Sequence, residues 1–342
     1  MERKPLQIDI QSEIGQLNAV LLHTPGAEVE NMTPKMAQRA LYSDILNLSI
    51  AQEEYKQLSG VLSKIANVYT VTDLLVKVLE NPVEREELVK KICVTENVME
   101  YYETLMEMSS VRLAKALIEG LPARINTLTS FLNEDYYALF PLYNFYFTRD
   151  AAVTIGNHAL ICKMANKVRM RESLIMQAIY KGSGEFACGI IDAYDHSPLN
   201  PNLFMEGGDI LIAREDVLLI GNGIRTSSQG IDFLASRLSA IAPQGRRHII
   251  VQQLPHTPES FIHLDMVFTM LDRNKCMVFE PLILGDNQYQ TIHIIIDNGK
   301  IVKISSVANM LTALKGLGMD LEPVVCGGKA DEWDQEREQW HS

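Results

Sequence analysis

The sequence predicts an α/β protein of repeated strand–strand–helix–strand modules stacked about a central axis, with a block of helices inserted after the first module. Three observations carry that prediction. Asp150, Asp209 and Asp265 each head a similar succession of elements, 59 and 56 residues apart. Short apolar runs separated by turn signals alternate with segments of helical spacing. The 342 residues, 47% apolar and 22% charged, suffice for a substantial core.

In chain order, a strand from Leu17 to His23 ends at Thr24-Pro25-Gly26, a turn signal. Thr33-Pro34 reads as N-cap and first helical position. Ile50, Ala51, Tyr55, Leu58, Val61, Leu62 and Ile65 follow helical spacing, and a strand near Val68–Val71 closes the module. Residues 72–123 then read as short amphipathic helices, punctuated at Asn81-Pro82, Thr95-Glu96 and Ser109-Ser110 and ended by Gly120.

The next module starts with a strand Phe145–Asp150 and a hairpin at Gly156-Asn157. A return strand Ala159–Cys162, a helix from Glu172 to Tyr180 and a strand near Phe186–Ile191 complete it. The same order follows Glu206: strand Ile210–Ala213, turn Arg214-Glu215-Asp216, strand Val217–Ile220, helix through Ile231 to Ile241, strand His248–Val251. From His263 the pattern loosens. Phe261–Leu271 reads as an apolar strand, Asn298-Gly299 as a hairpin, Val307–Leu317 as a helix and Pro323-Val324-Val325 as the closing strand. The expected domains are residues 1–71, the first module; 72–123, the helical insertion; 124–328, further modules; and 329–342, a charged segment leading toward an absent last module.

Charge and cysteine usage narrow the function classes. A net charge of −12 argues against nucleic acid or anionic membrane as a partner and suits a small cationic substrate. No apolar run approaches membrane-span length, and Met1-Glu2-Arg3-Lys4-Pro5 opens no signal peptide. The five scattered cysteines, with no C-x-x-C among them, point to a reducing cytoplasm.

Three sets of residues stand out for chemistry. Asn144 and Asp150 flank Phe145–Arg149, with Arg169 and Arg171 after the hairpin. Glu206 and Asp209 enclose Gly207-Gly208 in an otherwise apolar run, followed by Arg225-Thr226-Ser227. His263 and Asp265 fall on one face of their strand by alternation. Each also has a plain reading: a structural salt bridge at Arg149-Asp150, a solvated helix start at Arg169–Glu172, a hydrogen-bonded core pair at His263 and Asp265. Two-residue spacing could place His263 and Asp265 on a metal with Glu206; lacking a further His or Cys motif, no metal is assigned. Acids that pair a cation and arginines that hold a carboxylate together suggest a small zwitterionic substrate with a cationic tail.

With these motifs in order, the chain resembles arginine deiminase, of the guanidine-modifying pentein superfamily. The resemblance rests on Ser12-Glu13-Ile14-Gly15, Phe147-Thr148-Arg149-Asp150, Met205-Glu206-Gly207-Gly208-Asp209, Gly223-Ile224-Arg225-Thr226-Ser227, His263-Leu264-Asp265 and Glu336-Arg337-Glu338-Gln339-Trp340. It implies a five-bladed α/β propeller of ββαβ modules, here incomplete at the C-terminus, and hydrolysis of L-arginine to L-citrulline and ammonia without metal or organic cofactor. Asp150 and Asp265 would bind the guanidinium, and Glu206 with His263 would form the acid–base pair. Arg169, Arg225 and Asn144 would hold the substrate carboxylate, with Asp209 supporting.

The family's nucleophilic cysteine lies in a fifth module that this sequence stops before. Cys326 matches a position upstream of it, so no nucleophile is assigned and no turnover is expected of the chain as written. Low stability, or self-association through the uncovered apolar surface and strand edges, is expected. The alternatives are another guanidine-modifying pentein, such as an amidinotransferase or dimethylarginine hydrolase, or a noncatalytic arginine-binding regulator.

Overall fold

A computed structural model describes residues 4–32, 36, 42, 45–132, 136–196, 200–241, 243–328 and 332–341. The expected helix start at Thr33-Pro34 lies outside them. The chain divides into two units of interleaved segments. The first comprises Met1–Gln7, Leu17–Ala151 and Asn166–Cys188; the second comprises Ile8–Gln16, Ala152–Ala165 and Gly189–Ser342.

In the first unit, strand Ala19–Leu22 pairs in parallel with Asn67–Thr70. Between them runs the helix Leu48–Leu62, capped by Asn47, whose side chain accepts from the Ser49 and Ile50 N–H groups at 3.0 and 3.3 Å. None of its residues is buried, and Ile50, Leu58 and Val61 face solvent. Helices Val71–Glu80, Pro82–Glu96, Tyr102–Met106 and Ser110–Glu119 fill the expected helical block. Asn81 caps the second, with Pro82 as its first residue, and Gly120 ends the last at φ 98°, a conformation open to glycine. Leu74, Leu75, Val78 and Leu79 are buried where Val71–Glu80 packs on Ser110–Glu119 and on the helix Met170–Gly182.

The second unit holds three sheets that share one pattern. A hairpin's second strand pairs in parallel with a strand returning from further along the chain. The hairpins are Ala152–Ile155 with His158–Ile161, Ile210–Arg214 with Val217–Asn222, and Phe268–Asp272 with Lys275–Val278. The parallel partners are Gly189–Asp192, Arg246–Gln253 and Glu322–Val325. In the middle case the helix Ser228–Ile241 lies between them in sequence. The apolar core includes Val217, Leu219, Ile250, Leu264, Phe268, Val278, Met310 and Leu314.

Several expectations are corrected. Phe145–Asp150 is not a strand: Thr148–Ala151 forms one helical turn and the strand begins at Ala152. Phe261–Leu271 is likewise broken by a one-turn helix, Leu264–Met266, with the strand starting at Phe268, so alternation does not place His263 and Asp265. Gly207–Asp209 makes a third such turn ahead of Ile210. All three aspartates therefore sit in helical turns just before a strand, not at its head. The Asn298-Gly299 hairpin forms, with both residues at positive φ, as a tight two-residue turn requires. Its strands Thr291–Asp297 and Lys300–Val307 extend the middle sheet beyond Arg246–Gln253 instead of opening a module. The helix expected from Val307 starts at Met310, because Val307 still pairs with Thr291 and Asn309 supplies the cap.

Candidate active-site residues

The first unit gathers Asn144, Asp150 and Arg169 around one buried cation. Arg169 is 4% exposed. Its Nη1 donates to Asp150 Oδ2 at 2.7 Å and its Nη2 to the Asn144 carbonyl at 3.3 Å. Nε and Nη2 meet Glu172 at 3.1 and 2.8 Å in a forked pair, and Glu172 is 1% exposed. The segment 169–172 thus starts a buried helix, not a solvated one. Asn144 contributes its backbone oxygen to this cluster. Glu172 was not singled out from the sequence; its i, i+3 spacing from Arg169 at a helix start is the signal that would have found it.

In the second unit, Glu206 is fully buried. Its Oε2 lies 3.0 Å from His263 Nε2, and its Oε1 accepts from the Ala165 N–H at 3.1 Å and lies 3.5 Å from Arg225 Nη1. The Glu206 N–H donates to the Thr226 hydroxyl at 3.2 Å. Asn222 Nδ2 and the Gly223 N–H both donate to the Thr226 carbonyl, folding the 223–226 loop so that Arg225 reaches Glu206. His263 is buried and Asp265 exposed. This pairing can hold and pass a proton at Nε2, the carboxylate fixing the ring.

Asp209 lies beside this pair. Burial raises its carboxyl to about 7 from an ordinary 3.8, Asp265 adds to the rise, and His263, Thr226 and the Leu264 N–H pull the other way. A carboxyl with a raised folded value binds its proton more tightly folded than unfolded. Its contribution therefore favours the fold at low pH and is lost as pH rises from about 4 to about 7. Asp209→Asn is expected to remove that dependence. The unfolding free energy of the variant relative to the parent should climb between pH 4 and 7, by on the order of 4 kcal/mol at most. Urea titrations at several pH values check it; parallel curves would refute it.

A family model described as arginine deiminase matches residues 38–342. An arginine deiminase of Bacillus thuringiensis subsp. konkukian is 33% identical over 358 residues, covering 98% of this chain and 84% of the relative. One from Staphylococcus aureus is 30% identical over 351 residues with the same coverages. Among solved structures, the amidinotransferase SxtG from Microseira wollei aligns with TM-score 0.48 at 14% identity, over 95% of this chain and 81% of that one. A DDAH from Pseudomonas aeruginosa complexed with citrulline aligns at 0.45 and 13%, over 91% and 93%. The match along nearly the whole sequence, at this identity, places the chain in the arginine deiminase family.

Proposed function

We propose that this chain recognises L-arginine and that its residues serve the hydrolysis of L-arginine to L-citrulline and ammonia. The observation that carries the reading is the buried His263–Glu206 pair with Arg225 beside it. Asp150 and Asp265 take the guanidinium, whose planar, permanently charged fork suits carboxylates. Arg225, with one protein acid near it among the described residues, takes the substrate carboxylate. Arg169 and Asn144 assist, Arg169 being already engaged by Glu172 and Asp150. The family reading carries with it the five-bladed propeller and a cytoplasmic setting.

In the reaction a thiolate bonds to the guanidinium carbon, and His263 gives its proton to the departing nitrogen, which leaves as ammonia. His263 then takes a proton from water, the water oxygen bonds to the same carbon, and the carbon–sulfur bond breaks to release citrulline. None of the five cysteines present suits the thiolate role. Cys93 and Cys276 are buried thiols pushed up by desolvation, Cys276 to about 11. Cys162 and Cys326 are also buried, and Cys188 is half-buried without a helix N-terminus to activate it. That supports a second reading for residues 1–342 taken alone: arginine binding without turnover, as in a noncatalytic regulator.

Calorimetry of residues 1–342 with arginine and agmatine, alongside a citrulline assay, tests both. Arginine binding with no citrulline is expected; absence of binding would sink the assignment, and steady citrulline formation would sink the second reading. Arg225→Ala should weaken arginine more than agmatine, which lacks the carboxylate. Equal losses for the two ligands would remove Arg225 from that role.

A further inference from the structure

Asp209 is fully buried, and the proton-passing role given to His263 does not require it. A buried acid is a costly way to fill space. Its Oδ1 accepts from the Leu264 N–H at 3.0 Å. Leu264 is the first residue of the one-turn helix Leu264–Met266, and the residue in the capping position is His263. Ser, Asp or Asn would ordinarily stand there and cap the turn with its own side chain. His263 makes no such bond, because its ring is committed to Glu206.

The room for Asp209 is also built. A Cβ on Gly221 would lie 2.1 Å from Asp209 Oδ1 and 2.9 Å from Leu254 Cδ1. Gly221 sits in the regular strand Val217–Asn222, opposite Gln252, where no turn asks for glycine. Its lack of a side chain is explained by the acid it admits.

We propose that Asp209 is a positioning residue: from 55 positions away it accepts the first N–H of the turn that follows His263 and carries Asp265, tethering a turn that His263 does not cap, and Gly221 is the gap that seats it. One carboxylate oxygen thereby sets the direction of two side chains assigned to the reaction. The raised carboxyl of Asp209 fits this arrangement, since a protonated acid keeps an oxygen free to accept from Leu264. The proposal rests on the roles given above to His263 and Asp265, but its test does not depend on arginine.

In residues 1–342 labelled with ¹⁵N-histidine, the His263 Nε2–H resonance, assigned by its loss in His263→Gln, reports the bond to Glu206. Hydrogen exchange at Leu264 reports the tether. Asp209→Asn, whose side-chain oxygen can still accept, should keep both signals. Asp209→Ala and Gly221→Ala should each speed Leu264 exchange by about tenfold or more and shift or broaden the His263 signal. Leu211→Ala, a cavity in the same core, is the control for general loosening and should leave both unchanged.

If Asp209→Ala does not fold, Asp209→Glu, too long by one methylene for the Leu264 N–H, reads the same signals. Parent-like exchange and His263 signals in Gly221→Ala and in either Asp209 variant would overturn the proposal. So would equal disturbance by Leu211→Ala. Failure of the parent to bind arginine would count against the functional reading alone, leaving these signals to decide the tether.

Discussion

Glu172→Ala is expected to cost the first unit about 3–5 kcal/mol of stability, the range for breaking a buried ion pair by removing one partner. Arg169 and Glu172 are both almost wholly out of water, and the guanidinium gives Glu172 its forked contact through Nε and Nη2. With Glu172 gone, Nε and Nη2 lose their forked acceptor, and a guanidinium cannot shed its proton to escape the cost. Asp150, which accepts from Nη1, lies on another branch of the guanidinium and does not replace it. The measurement needs a probe in the right unit. Both tryptophans, Trp333 and Trp340, lie in the second unit, so indole fluorescence does not report directly on this one. Urea unfolding followed by circular dichroism, or amide exchange along Met170–Gly182, reads it. A loss below about 1 kcal/mol would mean that Arg169 finds another acceptor or admits water.

Asp150→Ala should show the opposite balance: a smaller stability loss and a larger loss of ligand. Arg169 keeps its forked contact with Glu172 in that variant, so the cation stays paired. What disappears is the acid assigned to the substrate guanidinium. Leaving that charge unpaired in a water-poor site costs about 3–5 kcal/mol, roughly a hundred- to several-thousand-fold in Kd. Arginine calorimetry on the variant and its parent measures it. Near-parental affinity would take Asp150 out of substrate binding and leave it as a second counter-ion for Arg169. The two variants together separate the acid that holds the fold from the acid that meets the ligand.

Much of the secondary structure was legible because its signals are local. The turns at Gly156-Asn157 and Asn298-Gly299 form where expected, and the helices Met170–Gly182 and Ser228–Ile241 follow their apolar spacing. The one-turn helices before the strands were not legible. What holds Leu264–Met266 is an acceptor 55 residues away, and no window of local sequence contains it. The same limit hid Glu172, whose charged surroundings read as surface until packing removes the water. Asp265 shows the limit in reverse. Strand alternation put it on one face with His263, but the intervening turn leaves it exposed beside a buried histidine. Within the second unit, Glu206 and His263 do meet, as their motif positions implied.

The interleaving of the two units has a consequence for synthesis on the ribosome. Leu6–Gln7 pairs with Phe186–Ala187, Ile10 bridges Gly156, and the Glu13 carboxylate receives the Ile212 N–H, 199 residues on. The segment Leu6–Glu13 thus gains these partners one after another, from Gly156 to Ile212, at least some seven to ten seconds after its own synthesis at ordinary elongation rates. The segment is made early and fastened late. Contacts of such long separation slow folding, and a tag fused ahead of Leu6 would burden this late fastening.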